Sequence, residues 1–83
     1  MSLYNFGEYE ESIIEYEKAI ELHPNYAALY KNKGDSLYNL GRLEEAIKAY
    51  DNVIELEHDY EEAINNRAIV IQQIGSHNDG KVA

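Results

Sequence analysis

The strongest constraint on this chain is an internal repeat with a period of 34 residues. Residues 2–26 read SLYNFGEYEESIIEYEKAIELHPNY and residues 36–60 read SLYNLGRLEEAIKAYDNVIELEHDY, so that 13 of the 25 aligned positions are identical. A fixed period of this size is typical of repeat architectures, in which each unit buries its apolar face against the next unit. The sequence therefore predicts a stacked array of similar units.

The spacing of apolar residues predicts four amphipathic helices and an all-α fold. The helical segments cover residues 8–22, 26–40, 43–56 and 61–74, where apolar side chains recur every three or four positions. Gly7, Gly41 and Gly75 recur with the repeat, and we expect each of them to end a helix in the left-handed conformation. Gly34 lies inside a helical segment, where we expect it to permit a close helix–helix approach.

The repeat also predicts how the chain is divided. Residues 1–75 form a repeat domain with a partial repeat over 2–26, a complete repeat over 27–60 and the first helix of a third repeat over 61–75. The pattern fails beyond residue 75, so residues 76–83 are expected to be a frayed tail or a truncated helix. Because each helix of an array needs neighbours on both sides, we expect either an excised piece of a longer array or a short chain that completes itself by pairing.

The charge balance restricts the classes of partner. A net charge of −9 repels phosphate groups, which argues against nucleic acid and anionic membranes and weakly favours cationic partners. The chain has no cysteine, so disulfides and thiolate metal sites are excluded. No apolar run approaches transmembrane length and no signal-peptide core follows the N-terminus, which favours a soluble, cytoplasmic protein.

Candidate catalytic and metal-binding residues have simpler interpretations. Paired glutamates recur at residues 10–11, 44–45 and 61–62, near the predicted helix starts, where the positive end of the helix dipole accounts for them. His23 and His58 both lie in predicted turns and His77 lies in the tail, whereas a zinc site needs three or four convergent ligands. We therefore predict no catalytic residue, no metal site and no cofactor, and we do not expect an enzyme.

The repeated unit carries a recognisable set of spaced residues. The complete copy has Tyr30-x2-Lys33-Gly34-x2-Leu37, Ala46-x3-Tyr50 and His58, and the partial copies have Ser12-x3-Tyr16 with Pro24 and Ile64-x2-Arg67-Ala68-x2-Ile71. This set resembles the tetratricopeptide (TPR) repeat over residues 2–75. Lys33 and Arg67 replace the signature leucine, a variant similar to many prokaryotic TPR proteins, and His58 replaces the proline. The resemblance implies antiparallel helix–turn–helix units, about four helices in all, stacked as a right-handed superhelical solenoid.

The resemblance also implies a binding surface, because the first helix of each TPR unit lines the concave face of the superhelix. The residues carried over to that face are Lys31, Asn32, Asp35, Tyr38, Asn39, Asn65, Asn66, Ile69 and Gln73. Asn32 and Asn66 lie 34 residues apart and resemble the asparagine ladder that holds a peptide main chain, for which an amide offers both a donor and an acceptor. The leading prediction is a non-catalytic protein–protein interaction scaffold that binds a peptide or protein segment there.

A different binding mode of TPR proteins, the carboxylate clamp for acidic C-termini of heat-shock chaperones, fits less well. Lys31 and Asn66 match its positions, but Asp35 stands where the clamp requires asparagine. Opposed carboxylates repel one another, which argues against this use.

The alternative function is a structural or oligomerisation segment without a peptide ligand. Ile69, Val70 and Ile71 are adjacent and cannot all face one side of a helix, and Ile14 is apolar where its repeat equivalent is Lys48. These four apolar residues are the predicted self-association residues, through which the ends of the array would make a homo-oligomer.

Overall fold

The computed structural model describes the backbone of residues 6–82 and the side chains of residues 7–75. The described chain forms four α-helices, α1 (Phe6–Leu22), α2 (Ala27–Asn39), α3 (Leu43–Leu56) and α4 (Glu61–Val82), and contains no strand. The all-α prediction is confirmed. The observed bounds of α2 lie one residue inside the predicted segment at each end, and those of α3 coincide with it.

Each helix packs against the next one along the chain, and α2 also contacts α4. Within the described residues, α1 and α3 do not contact each other. Because the first helices of successive units approach one another while the second helices do not, the array bends toward α2 and α4. The surface formed by α2 and α4 is therefore the concave face of a helical-repeat solenoid.

The core is centred on the complete unit formed by α2 and α3. The largest fully buried side chains are Leu37, Tyr50, Val53 and Val70. Gly34 confirms its predicted role, because a Cβ atom at this position would lie 2.7 Å from Cε1 of Tyr50. The ring of Tyr50 thus packs directly on the α2 backbone, at a distance that only glycine permits.

The turns between units repeat the same hydrogen bond. The backbone N–H of Tyr26 donates to the carbonyl of His23 and that of Tyr60 donates to the carbonyl of Glu57, both at 3.2 Å. These two bonds are 34 residues apart although proline occupies only the first turn. The replacement of the signature proline by histidine therefore leaves the turn unchanged.

An ion pair between units also repeats with the period of the sequence. Lys33 Nζ lies 3.2 Å from Glu17 Oε2, and Arg67 Nε lies 2.6 Å from Asp51 Oδ1. The cationic residues at the signature leucine thus connect each first helix to the second helix of the preceding unit. Their long apolar stems can cover the helix surface while their charged ends reach the partner carboxylates.

The three periodic glycines do not share one conformation. Gly41 has φ 84°, and the N–H groups of Gly41 and Arg42 donate to the carbonyls of Tyr38 and Leu37 at 2.9 Å each. This pair of bonds is the Schellman motif that ends α2 and turns the chain back into α3. The prediction for Gly41 is therefore confirmed.

The predicted helix ends at Gly7 and Gly75 are wrong, because these glycines lie inside α1 and α4. A Schellman turn is stabilised when the following helix folds back and packs, as α3 does on α2. No described helix packs back after Gly75, and the backbone of residues 76–82 continues α4. Residues 2–5, predicted to end a preceding helix, lie outside the described residues.

Candidate functional site

The concave face contains a pocket of about 300 Å³ between α2, α3 and α4. Its lining residues are Asp35, Tyr38, Asn39, Tyr50, Asn66, Ile69 and Val70. Five of these, namely Asp35, Tyr38, Asn39, Asn66 and Ile69, come from the set that the sequence assigned to the concave face. Helices α2 and α4, the first helices of their units, thus bring five of the predicted residues together around one pocket.

Asp35 is the polar centre of this pocket. Its Oδ1 accepts a hydrogen bond from the hydroxyl of Tyr50 at 2.5 Å and another from Nδ2 of Asn66 at 3.1 Å. Its Oδ2 lies 2.9 Å from Nζ of Lys31, one helical turn earlier on α2. A single carboxylate therefore connects α2 with both α3 and α4, which fixes the polar wall of the pocket.

Lys31 is held between two carboxylates at the edge of the pocket. Besides Asp35, its Nζ lies 3.6 Å from Oε1 of Glu62 on α4. The hydrogen bond to Asp35, which outweighs partial burial, raises the pKa of Lys31 above its ordinary value. Because two acidic groups already surround the ammonium, its charge is compensated within the protein, which disfavours the carboxylate clamp.

Tyr50 contributes a hydroxyl that stays protonated. Burial of the side chain, followed by its hydrogen bond to Asp35, raises the pKa of Tyr50 well above the ordinary value. The hydroxyl therefore remains a donor to Asp35 at neutral pH.

The amide of Asn66 has a fixed orientation. Its Nδ2 donates to Asp35, so the carbonyl oxygen Oδ1 points away from that carboxylate. The side chain is only partly buried. An oriented acceptor of this kind suits a donor group on a ligand in the pocket.

The remaining wall of the pocket is apolar. Val70 is only 1% exposed and forms part of the floor, whereas Ile69 is 45% exposed at the rim. Tyr38 is half-buried beside them. A small depression with an apolar wall and a few oriented polar groups can take an apolar side chain together with an adjacent hydrogen-bonding group.

Four predicted concave-face residues, namely Lys31, Asn32, Asn65 and Gln73, are not among the residues that line this pocket. Asn32 is half-buried, and Asn65 and Gln73 are exposed. The residue 34 positions before Asp35 is Met1, so Asn32 has no aspartate counterpart to orient its amide as Asp35 orients Asn66. The two asparagines of the predicted ladder are therefore not equivalent in chemistry.

Two pocket residues were not predicted for this site. Tyr50 entered the sequence analysis only through the Ala46-x3-Tyr50 spacing of the repeat, and its hydroxyl completes the polar wall. The available signal was the sequence Gly34-Asp35, a glycine that admits an aromatic ring beside an acid that can accept its hydroxyl. Val70 is the other pocket residue that was not predicted for this site.

Val70 corrects the predicted set of self-association residues. Ile14, Ile69 and Ile71 are 51%, 45% and 43% exposed, but Val70 is 1% exposed and packs in the core. Successive residues of an α-helix are separated by about 100°, so three adjacent apolar residues must face different directions. Val70 takes the side of α4 that faces α3, and its assignment to a self-association surface is wrong.

Among the described side chains of residues 7–75, no three His, Cys, Asp or Glu residues cluster in a way that could hold a metal ion. No helix among the described residues is long and apolar enough to cross a membrane. Glu44 and Glu45 lie in the first turn of α3, and Glu61 and Glu62 lie in the first turn of α4.

A solenoid of antiparallel helix pairs with a pocket on its concave face defines a helical-repeat protein. The family model for the TPR repeat matches residues 2–41 and 34–75, and the chain therefore belongs to the TPR repeat family. A comparison with curated proteins gave no match. TPR repeats generally mediate protein–protein interaction, and the proteins that contain them are typically non-enzymatic scaffolds.

Proposed function

We propose that this chain binds an extended peptide segment of a partner protein on its concave face, with one apolar side chain of the peptide in the pocket. The observation that carries this proposal is the combination of an oriented amide, Asn66, with an apolar wall in one pocket of about 300 Å³. The protein acts as a non-catalytic scaffold, and the peptide needs no cofactor.

The hydrogen-bonding part of the site recognises the peptide main chain. Oδ1 of Asn66 accepts a bond from a peptide N–H, because Nδ2 is already directed at Asp35. An acceptor that is ordered before binding loses little conformational freedom when the ligand arrives. Asn39 is exposed at the rim of the same pocket and offers a second amide.

The apolar part of the site supplies the anchor. Ile69 is 45% exposed in the free protein, and a peptide side chain placed against Ile69 and Tyr38 removes apolar surface from water. Val70 closes the floor. The size of the depression fits one aliphatic or aromatic side chain rather than a larger ligand.

The charge of the surroundings favours basic residues beside this anchor. The side chain of Glu62 is 70% exposed at the edge of the concave face, and the whole chain carries a net charge of −9. A lysine or arginine next to the apolar anchor is attracted to this surface, and salt weakens the attraction by screening. The expected ligand is therefore a peptide with one apolar residue flanked by cationic residues.

The test selects ligands from a random peptide display library on the immobilised protein and measures the labelled peptides by fluorescence anisotropy. Ile69→Lys should abolish binding, because it places a charge in the apolar wall. Asn66→Ala should weaken binding by about 3- to 10-fold, the value of one hydrogen bond. Asn52→Ala, an exposed asparagine of α3 outside the pocket, is the matched control and should leave binding unchanged.

Two results contradict the proposal. One is the absence of any selected peptide that binds the folded protein in solution. The other is a set of peptides whose affinity is the same for the wild type, for Ile69→Lys and for Asn66→Ala, since such peptides bind elsewhere.

A further inference from the structure

The face of α4 that would carry the second helix of its unit is uncovered. Ile64 and Ile71 are 41% and 43% exposed, and Ala68 between them is exposed as well. In the complete unit the equivalent residues of α2 are Tyr30, Gly34 and Leu37, of which Gly34 and Leu37 are buried beneath α3. We call the surface of Ile64, Ala68 and Ile71 the open α4 face.

The matching face of α1, at the other end of the molecule, is less buried than its equivalent on α3. In the complete unit, α3 packs on α2 through Ala46, Tyr50 and Val53, which are at most 1% exposed. Their equivalents on α1 are Ser12, Tyr16 and Ala19, all of them only partly buried. We call the surface of Ser12, Tyr16 and Ala19 the open α1 face.

We propose that two copies of this chain associate head to tail, with the open α1 face of one copy packed on the open α4 face of the other. The structure contains the template for this contact, because α4 is the repeat equivalent of α2 and α1 is the repeat equivalent of α3. Their association completes a third unit from two chains, and it leaves the concave pocket on α2 and α4 accessible.

The contact is looser than its intramolecular template. A Cβ atom at Gly34 would lie 2.7 Å from the Tyr50 ring, and the equivalent position on α4 is Ala68, which has a Cβ atom. Ordinary contacts of this kind measure 3.4–4 Å, so the incoming Tyr16 ring must lie farther out than Tyr50 does. The association is therefore weaker than the packing of α3 on α2 and depends on protein concentration.

The symmetry of the contact makes it open-ended. The two faces are different surfaces of the same chain, so every complex retains one open α1 face and one open α4 face. Each copy also carries a net charge of −9, which opposes association at low ionic strength. Salt screens this repulsion, so the oligomers should grow with both protein and salt concentration.

The first arm of the test measures the solution mass by light scattering over a dilution series at low and high salt. The mass should equal 9.6 kDa at high dilution and increase toward multiples of that value at high protein concentration, more strongly at high salt. A constant mass of 9.6 kDa over the whole series, at both salt concentrations, overturns the proposal.

The second arm uses Ile71→Lys on the open α4 face and Tyr16→Lys on the open α1 face. Each variant alone should be monomeric, although each lysine lowers the net negative charge and would otherwise favour association. Mixed in equal amounts they should form a 1:1 complex of twice the mass that grows no further, because each supplies one intact face. Ser12→Lys replaces Tyr16→Lys if circular dichroism shows that the latter loses its helical structure.

The remaining outcomes separate this proposal from peptide binding. Residue 69 lies nearly opposite residue 71 around α4. Ile69→Lys should therefore leave head-to-tail association intact while it abolishes peptide binding in the pocket. Oligomers that persist in Ile71→Lys, or a mixture of the two lysine variants that stays monomeric, overturn the head-to-tail contact without affecting the proposed peptide site.

Discussion

Helices α2 and α4 are repeat equivalents in very different surroundings. On α2, Leu37 is 2% exposed because α3 covers it, whereas its equivalent Ile71 on α4 is 43% exposed. At the C-terminal end, α2 stops at a left-handed Gly41 while α4 continues through the equivalent Gly75 to Val82. The same pattern of residues thus gives a buried face followed by a turn in α2, and an exposed face and a longer helix in α4.

This difference shows that the neighbouring helix, and not the position in the repeat, determines burial and helix termination. Apolar residues at equivalent positions contribute to stability only where a partner helix covers them. A glycine takes the left-handed conformation where the turn leads into a helix that packs back. Substitutions at equivalent positions should therefore have unequal effects.

The largest expected difference is between Leu37→Ala and Ile71→Ala. Truncation of the buried leucine leaves a cavity under α3 and should lower the free energy of unfolding by about 3 kcal/mol. Truncation of the exposed isoleucine should lower it by less than about 1 kcal/mol. Urea unfolding at low protein concentration, followed by circular dichroism, measures both values; equal losses would mean that Ile71 is covered in the monomer.

Valine substitutions at the equivalent positions Gly34 and Ala68 should show a smaller difference in stability. Gly34→Val forces side-chain atoms against the Tyr50 ring and should destabilise the protein by about 2 kcal/mol. Ala68→Val adds atoms to an exposed face and should change stability by no more than about 0.5 kcal/mol. Thermal unfolding of the two variants checks this, and a larger loss for Ala68→Val would show that something already covers the open α4 face.

Alanine substitutions at the equivalent glycines Gly41 and Gly75 should change the free energy of unfolding in opposite directions. Gly41→Ala places a side chain at φ 84° and should destabilise the protein by about 1 kcal/mol. Gly75 lies within α4 with nothing near its Cβ position, so Gly75→Ala should stabilise the protein by about 0.5–1 kcal/mol. Chemical denaturation midpoints measure both; a loss of stability in Gly75→Ala would indicate a turn at that glycine.

The smallest effect concerns Tyr50 and its repeat equivalent Tyr16. Tyr50→Phe removes the hydroxyl that donates to Asp35 and should cost about 1 kcal/mol. The residue 34 positions before Asp35 is Met1, so Tyr16→Phe should change stability by less than about 0.5 kcal/mol. If the two substitutions lower stability equally, the hydrogen bond between Tyr50 and Asp35 adds no stability to the complete unit beyond what Tyr16 adds to the partial one.

The hydroxyl of Tyr50 also predicts that the stability of the folded protein depends on pH in the alkaline range. The pKa of Tyr50 is raised in the folded protein above its ordinary value of 10.0. Its bound proton therefore adds stability that is fully present below pH 10.0 and is lost as the pH rises from there toward the folded pKa. Unfolding measured above pH 10 should show a steeper loss for the wild type than for Tyr50→Phe, and parallel curves would contradict this account.

Much of the fold could be predicted from the sequence, because the period and the apolar spacing are local properties. They gave α3 its correct bounds and assigned Gly34 to a close helix contact. The conformations of Gly7 and Gly75 could not be predicted in this way. No described helix packs back after Gly75 as α3 does after Gly41, and no local signal distinguishes Gly7 and Gly75 from Gly41.

The candidate site was only partly predictable for a related reason. The repeat identified which helix faces meet, and so placed Asp35, Asn66 and Ile69 on one surface. It did not show that the Tyr50 hydroxyl would enter that surface from the second helix, because this depends on the depth of one ring against Gly34. Val70 was misassigned because three adjacent apolar residues do not indicate which of them faces α3.

Leu37 and Ile71 occupy equivalent positions and differ in burial because α3 covers only Leu37. NMR relaxation of their methyl groups by a soluble paramagnetic compound, made on dilute monomeric protein, measures this difference directly. We expect strong relaxation of the Ile71 methyl groups and little relaxation of those of Leu37. Equal protection of the two residues would show that the chain covers the open α4 face by itself, and the neighbouring helix would then not explain the difference between α2 and α4.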